Sequence, residues 1–115
     1  MRIKEGKSNY KGEETDKNLA QRVFDITTKF ITPIDVLSLG ITAVDEIAPP
    51  VRDLNQALQG YPNLPASYTG LQTVTKWVNI FAAKKATDNL SEEEIRQLKF
   101  DLEGAYQQFS DVVLS

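Results

Sequence analysis

The sequence lacks two residue types that carry much of protein chemistry, because it contains no cysteine and no histidine. The absence of cysteine excludes a disulfide framework, a thiolate metal site and a cysteine nucleophile. The absence of histidine removes the commonest general base, the usual zinc ligand and the side chain that titrates near physiological pH. We therefore expect no metal or other cofactor and no catalytic residues.

The chain also lacks a strong charge of either sign and a long hydrophobic run. Thirteen basic and 16 acidic residues give a net charge of −3, which makes nucleic acid an unlikely principal partner. No apolar stretch approaches the roughly 20 residues that span a bilayer, and the first residues are too polar for a secretory signal. We expect a soluble, intracellular protein without a transmembrane segment.

The 115 residues, of which 41% are hydrophobic, are enough for one domain. Residues 1–14 show no apolar period and are predicted to form a flexible leader or linker. From residue 15 to 115, apolar residues recur at steps of three and four, which is typical of amphipathic helices. Without alternation of the β type, the pattern predicts an all-α, up-and-down four-helix bundle.

Prolines complicate the first two predicted helices. The first begins at Thr15 or Asp16 and ends at Gly40, and its apolar phase continues through Pro33, which favours a kink over a break. The second runs from Thr42 to about Gln59 across Pro49 and Pro50. Either one bent helix or a short helix followed by a restart at Pro50 fits that segment.

A loop and two further helices complete the bundle. Residues 60–70 carry two prolines and two glycines, and their interleaved Tyr61, Leu64 and Tyr68 indicate a loop pinned onto the core. The third helix extends from Leu71 to about Ala83, with Trp77 as a core anchor. The closing helix, Ser91 to Phe109, starts with a capping box in which Ser91 and Glu94 exchange hydrogen bonds.

Acidic and basic side chains give only weak functional signals. Asp45 and Glu46, like Asp101 and Glu103, point in different directions on a helix, so a hydrolase that uses carboxylates alone is the weakest alternative. One group of basic residues could contact acidic lipid or an acidic partner, or could be a scattered solvated face: Lys76, Lys84, Lys85, Arg96 and Lys99.

Two apolar residues lie off the predicted core faces. Phe100 is about 140° from Ile95 around the closing helix, and Ile80 lies outside the apolar face of the third helix. Each is a candidate for an exposed contact with a partner. Alternatively, Phe100 is buried because the closing helix is covered on two sides or because the loop 60–70 lies over it.

Three segments resemble the C-terminal domain of the vacuolar protein sorting-associated protein 28 family, which supplies a subunit of the endosomal sorting complex ESCRT-I. They are FITPIDVLSLGITAVDEIAPPVRDL (30–54), NLPASYTG (63–70) followed by Trp77, and RQLKFDLEGAYQQF (96–109). The resemblance extends from about Leu19 to the end of the chain. Gly40 and Pro49 match the family pattern, whereas Pro33 and Pro50 depart from it.

The resemblance implies a non-enzymatic adaptor that sorts ubiquitinated cargo into multivesicular bodies, in the cytoplasm and peripherally on endosomes. The implied partners are an ESCRT-II subunit, through a zinc-finger insertion whose zinc belongs to that partner, an ESCRT-III subunit, or both. Assembly with the rest of ESCRT-I would use an N-terminal region that nothing here resembles. Phe100, Asp101 and Glu103 match the family motif and, with Ile80, are the predicted partner-binding residues.

Three functions therefore stand as hypotheses. The leading one is this adaptor, and the second is a structural bundle that self-associates through Phe100 and Ile80. The third is the carboxylate hydrolase.

Overall fold

The computed structural model describes residues 7–62 and 64–114, with side chains described for 19–62 and 64–113. Its four helices are α1 (Lys7–Ser38), α2 (Val44–Gln59), α3 (Gly70–Ala82) and α4 (Glu92–Leu114). Each helix packs against the next along the chain, and α1 also packs against α4. This closed order confirms the predicted up-and-down four-helix bundle.

Helix α1 begins earlier than predicted, at Lys7 instead of Thr15 or Asp16. Residues 7–14 of the predicted flexible leader are therefore helical, and its residues 1–6 lie outside the described residues. Lysine and glutamate are good helix formers. Once packing has formed the rest of α1, each residue added to the helix is fixed in exchange for one further hydrogen bond. The absence of an apolar period in residues 7–14 therefore does not mark where α1 begins. The division into leader and domain stays a prediction.

The prolines lie inside continuous helices. Helix α1 continues through the buried Pro33 and stops at Ser38, and Gly40 follows with a left-handed φ of +84°. For α2, the structure has one helix that contains both Pro49 and Pro50. Each internal proline removes a backbone donor, so burial of side chains on either side, such as Ile47 and Val51, must offset that cost.

The core contains the predicted seam of α4. Leu98, Leu102, Ala105 and Phe109 are buried there, against side chains from the other three helices. At one end, the ring of Phe109 lies 6.0 Å from that of Phe30 and also packs against the rings of Tyr61 and Tyr68. Tyr106 joins this cluster by packing against Phe30.

The loop before α3 is pinned onto the bundle, as predicted. Tyr68 is buried, and its hydroxyl donates a hydrogen bond of 2.9 Å to the carbonyl oxygen of Ala105. Tyr61 and Leu64 are partly buried against the same core. The loop therefore holds the start of α3 in place beside α4.

The start of α4 has the predicted capping box. The Ser91 amide donates to Glu94 Oε1 at 2.9 Å, and the Glu94 amide donates to Ser91 Oγ at 3.1 Å. Glu94 also pairs with Lys84 at 3.1 Å. These contacts fix the first turn of α4 against the preceding connection.

Candidate functional site

Phe100 lies on the outer side of α4 with 71% of its surface exposed. Its neighbours in sequence on the opposite side of the helix, Leu98 and Leu102, are fully buried. The expectation that Phe100 points to solvent is therefore confirmed, and neither the loop 60–70 nor a second covering layer buries it. A large exposed aromatic ring in the middle of a well-packed helix is a candidate contact for a partner.

Asp101, one of the predicted partner-binding residues, has its carboxylate turned towards α3. Its Oδ2 accepts hydrogen bonds from Trp77 Nε1 at 2.8 Å and from Lys76 Nζ at 3.2 Å, and its Oδ1 accepts one from Gln97 Nε2 at 2.8 Å. Only 12% of the side chain is exposed. The sequence of α4 alone does not indicate this orientation, because the indole donor comes from another helix, 24 residues away in the chain.

The electrostatics of Asp101 follow from these contacts. Burial by itself raises the pKa of this carboxyl group, but the hydrogen bonds from Trp77, Gln97 and Lys76 outweigh that effect and lower the pKa below its ordinary value. Lys76 also lies 5.6 Å from the centre of the Trp77 ring. Asp101 thus remains ionised and holds three side chains of the α3–α4 surface in fixed positions.

Ile80 is half-buried and lies on the same side of the bundle as Phe100. It lines a groove between α3 and α4 together with Trp77, Glu93 and Gln97. Glu93 and Gln97 also line the adjoining hollow beside Phe100. The structure therefore brings the two off-face residues onto one surface, which we call the α3–α4 face.

Glu103 is exposed on α4 but lines none of the grooves described on this face. Asp101 and Glu103 therefore do not converge. On α2, both Asp45 and Glu46 are exposed side chains of the first turn. These carboxylate pairs do not support the hydrolase alternative.

Sequence reasoning missed a second groove on the α3–α4 face, next to Phe100. Thr69 and Thr73 of α3 line it on one side, and Phe100, Gly104 and Gln108 of α4 line it on the other. Gly104 leaves a gap in the side-chain surface of α4 directly after Phe100. The three residues of α4 recur at steps of four, a signal that the search for apolar seams passed over because two of them are not apolar.

Gln108 has a structural task at the end of this groove. Its Oε1 accepts hydrogen bonds from the backbone amides of Thr69 at 3.2 Å and Gly70 at 3.0 Å, and from the Thr69 hydroxyl at 3.1 Å. Its Nε2 donates to the carbonyl oxygen of Ser67 at 3.3 Å. The side chain from α4 thus caps the N-terminus of α3, where Thr69 makes no side-chain capping bond of its own.

The basic residues that were candidates for an acidic partner do not act as one group. Lys76 pairs with Asp101 and Lys84 pairs with Glu94, so two of the five charges are compensated within the bundle. Arg96 lines the hollow beside Phe100, together with Glu93. The described geometry fits the alternative of a scattered solvated face better than a basic patch.

Three further large apolar side chains are exposed among the described residues, namely Phe24 (74%) and Ile31 (43%) on α1 and Leu39 (77%) directly after it. Sequence analysis overlooked them because they neighbour core residues in the chain, as Phe24 neighbours Val23. Successive positions on a helix differ by about 100°, so such neighbours face different sides. They lie on or next to a different helix from Phe100.

Within the described residues, no group of three or more His, Cys, Asp and Glu side chains is placed to hold a metal ion. None of the four helices in that part of the chain is both long and apolar enough to cross a membrane.

Comparison with known proteins gives a consistent result. The model of the family described as VPS28 protein matches residues 1–113. The vacuolar protein sorting-associated protein 28 homolog of Caenorhabditis briggsae is 35% identical over 94% of this chain and 51% of its own length. The corresponding protein of Dictyostelium discoideum is 33% identical over 93% of this chain and 37% of its own length. The chain thus spans about half or less of the length of these curated relatives.

A solved structure matches the fold. The X-ray structure of the C-terminus of yeast ESCRT-I Vps28 is similar with a TM-score of 0.72 and 29% sequence identity. The match covers 81% of this chain and 92% of the yeast chain.

Proposed function

The chain belongs to the VPS28 protein family, and from this we propose that it is a non-enzymatic adaptor domain of an ESCRT-I subunit that recruits ESCRT-II or ESCRT-III components. It would do so in the cytoplasm, peripherally on endosomes, during the sorting of ubiquitinated cargo into multivesicular bodies. Assembly with the rest of ESCRT-I would depend on residues other than those of the bundle. The similarity to the C-terminus of yeast ESCRT-I Vps28 supports this role.

The observation that carries the proposal is the exposure of Phe100 on the α3–α4 face. A phenylalanine side chain gains about 1.5–3 kcal/mol when it passes from full exposure to full burial. Because 71% of Phe100 is exposed, most of that free energy would be gained only when a partner buries the ring. Aromatic side chains that enter a partner's pocket are typical hot spots of protein interfaces.

The surroundings of Phe100 are preorganised for binding. Asp101 fixes Trp77, Lys76 and Gln97 through hydrogen bonds, and Gln108 fixes the start of α3. A surface whose side chains are already held in place loses little conformational entropy when a partner binds. We propose Phe100, Ile80 and Glu103 as direct contacts, and Asp101 as the residue that positions the surface beneath them.

The test is a binding measurement with purified ESCRT-II and ESCRT-III subunits, by calorimetry. We expect at least one of these subunits to bind, and Phe100→Asp to weaken that binding by about tenfold or more. Phe24→Asp is a matched control, because Phe24 is equally exposed but lies on α1. Binding by neither subunit contradicts the adaptor role, and loss of binding in the Phe24 variant alone would place the interface on α1.

A second candidate function is self-association, and it is favoured by the exposed residues Phe24 and Ile31 of α1 and Leu39 directly after it. In this case the apolar surface of one copy would cover that of another. Light scattering over a range of protein concentrations separates the two functions. A monomer at all concentrations rules out the self-associating bundle and leaves the adaptor.

A further inference from the structure

Gly70 is the first residue of α3, and its surroundings leave no room for a side chain. A Cβ atom built on Gly70 would overlap the hydroxyl group of Tyr68 and would lie 2.9 Å from Cε1 of its ring. Among the described glycines, a positive φ is recorded for Gly40 and not for Gly70, so a left-handed backbone does not require a glycine here. The position of the Tyr68 ring therefore accounts for this glycine.

The Tyr68 ring is held in its place against Gly70. It is only 4% exposed, and its centre lies 6.3 Å from the ring centre of Phe109 in an edge-on arrangement. At the tip of the side chain, the hydroxyl donates its hydrogen bond to the carbonyl oxygen of Ala105 in α4. A displacement of the ring therefore loses both the packing and the buried hydrogen bond.

The same part of the chain has a second anchor on α4, which is the side chain of Gln108. It accepts hydrogen bonds from the amides of Thr69 and Gly70, and it donates one to the carbonyl oxygen of Ser67. Gln108 follows Ala105 by three positions, so the two lie on the same side of α4, within one turn. Both anchors therefore hold the start of α3 to a single turn of α4.

Residues 64–69, which lead into α3, are otherwise largely exposed. Leu64 is partly buried, whereas Pro65, Ala66 and Ser67 are exposed. The Tyr68 amide donates to the carbonyl oxygen of Pro65 at 3.0 Å, so residues 65–68 form a turn with a hydrogen bond of its own. The attachment of this turn to the bundle depends mainly on the Tyr68 side chain and on the bonds to Gln108.

The two anchors depend on each other, because the residues that make them are adjacent. Tyr68 carries the first anchor, and the amides of Thr69 and Gly70 carry the second. The ring of Tyr68 also lies directly against the α-carbon of Gly70, so the first turn of α3 and the ring occupy their places together. Segments with few buried contacts that share their anchors typically open as one cooperative unit.

We propose that Tyr68 and Gly70 form an interlock, through which residues 64–69 and the first turn of α3 close onto α4, and open from it, as one unit. The inference concerns this chain by itself and does not rest on the proposed function. Closure shapes the α3–α4 face, because Thr69, Gly70 and Ala105 line the groove beside Phe100. Opening of the unit removes the wall that α3 contributes at this end of the groove.

The first test compares the urea midpoints of two glycine-to-alanine variants by circular dichroism. In an ordinary helix this substitution raises stability, but in Gly70→Ala the added methyl group displaces the Tyr68 ring, so the midpoint should fall by about 1 M. Gly60→Ala is the control, since a Cβ atom there would lie 3.6 Å from its nearest neighbour, an ordinary contact. Its midpoint should change by less than about 0.3 M. A midpoint of Gly70→Ala equal to or above that of the unmodified protein would overturn the inference.

The effect of Gly70→Ala should depend on the ring at position 68. In the background of Tyr68→Phe, which keeps the ring, the substitution should again lower the midpoint by about 1 M. In the background of Tyr68→Leu, which removes the ring, it should leave the midpoint unchanged or raise it. Equal losses in the two backgrounds would show that Tyr68 is not the reason for the glycine. The exchange experiment that follows needs no substitution of Tyr68, so it applies even if Tyr68→Leu fails to fold.

Hydrogen exchange of the native protein tests whether the unit opens as a whole. The amides of Tyr68, Thr69 and Gly70 should share one protection factor, within about twofold, because a single opening exposes all three. This protection factor should be lower than that of the Leu54 amide in the middle of α2, which exchanges only through a larger unfolding. Clearly different protection factors for the three amides would show that they open separately and would overturn the inference.

Gln108→Ala extends this experiment to the coupling between the anchors. The Tyr68 amide is bonded to Pro65 and not to Gln108, yet its protection factor should fall about tenfold in this variant. In Gln107→Ala, which removes a neighbouring amide that bonds within α4, the protection factor should stay the same. Unchanged protection of the Tyr68 amide in Gln108→Ala would show that the anchors act independently and would contradict the interlock.

Discussion

Two apolar residues two positions apart on α4 have opposite surroundings. Leu102 is fully buried in the core, and Phe100 is 71% exposed. The apolar character that the two residues share therefore has different consequences. Leu102 contributes to the free energy of folding, whereas Phe100 is available to a partner.

The same substitution, to aspartate, should therefore change stability by very different amounts at these two positions. Leu102→Asp places a charge in the core and should destabilise the bundle by several kcal/mol. Phe100→Asp should change the free energy of unfolding by less than about 0.5 kcal/mol, since it replaces an exposed side chain. Urea denaturation followed by circular dichroism measures both variants. A large loss of stability in Phe100→Asp would show that Phe100 is part of the core.

Asp101 makes stability dependent on pH in the acidic range. Its pKa is lower in the folded protein than the ordinary value of about 3.9. The stability that its ionised form contributes is therefore fully present above that value and is lost as the pH falls through the folded pKa. Glu94 behaves in the same direction, because the Ser91 amide and Lys84 lower its pKa.

Asp101→Asn distinguishes the contribution of Asp101 to the pH dependence of stability from that of Glu94. The variant should be less stable than the unmodified protein by about 1–2 kcal/mol at pH 7, because it loses hydrogen bonds to a charged group. That difference should shrink as the pH falls from about 4 towards 2, while the contribution of Glu94 stays common to both proteins. The free energy of unfolding of both proteins, measured across this pH range, checks this expectation. A difference in stability that stays constant with pH would contradict the role of the Asp101 charge.

At the scale of single elements, α3 depends on α4 for its N-terminus. The capping group is the Gln108 side chain, which lies 38 residues beyond the Gly70 amide that it binds. By contrast, α4 is capped by Ser91 and Glu94 from its own first residues. The two helices of the α3–α4 face are therefore joined by a hydrogen-bonded cap as well as by the core.

Removal of this cap should cost about as much as removal of an ordinary helix cap. Gln108→Ala should destabilise the bundle by about 1–2 kcal/mol. Gln107→Ala is the matched control, because Gln107 is exposed and bonds to Asp111 within the same helix. We expect the control to stay within about 0.5 kcal/mol. Equal stability of the two variants in urea denaturation would show that the cap does not stabilise α3.

The same contrast explains which features the sequence predicts. The capping box of α4 was predictable because its partners are three residues apart, and the seam of α4 because burial follows the helical period. The bond between Trp77 and Asp101 and the cap by Gln108 join distant parts of the chain, so no local pattern indicates them. Pro49 and Pro50 show the reverse case, in which packing overrides a strong local preference.

At the scale of the whole molecule, the large apolar side chains that are exposed among the described residues lie in two regions. One is the α3–α4 face around Phe100, and the other comprises Phe24 and Ile31 of α1 and Leu39, which directly follows α1. Helix α1 packs against α2 and α4, and α3 also packs against α2 and α4, so α1 and α3 occupy opposite corners of the bundle. A groove between α3 and α4 is lined in part by Phe100, which makes the α3–α4 face the better candidate for a specific partner.

The most direct test of this account is nuclear magnetic resonance of the isotope-labelled chain, titrated in turn with purified ESCRT-II and ESCRT-III subunits. The account predicts that amide signals change mainly in residues 69–80 of α3 and 93–108 of α4, with the largest changes near Phe100 and Gly104. Signals of residues 24–39 of α1 should stay in place. Changes confined to α1, with the α3–α4 face unaffected, would contradict the central claim.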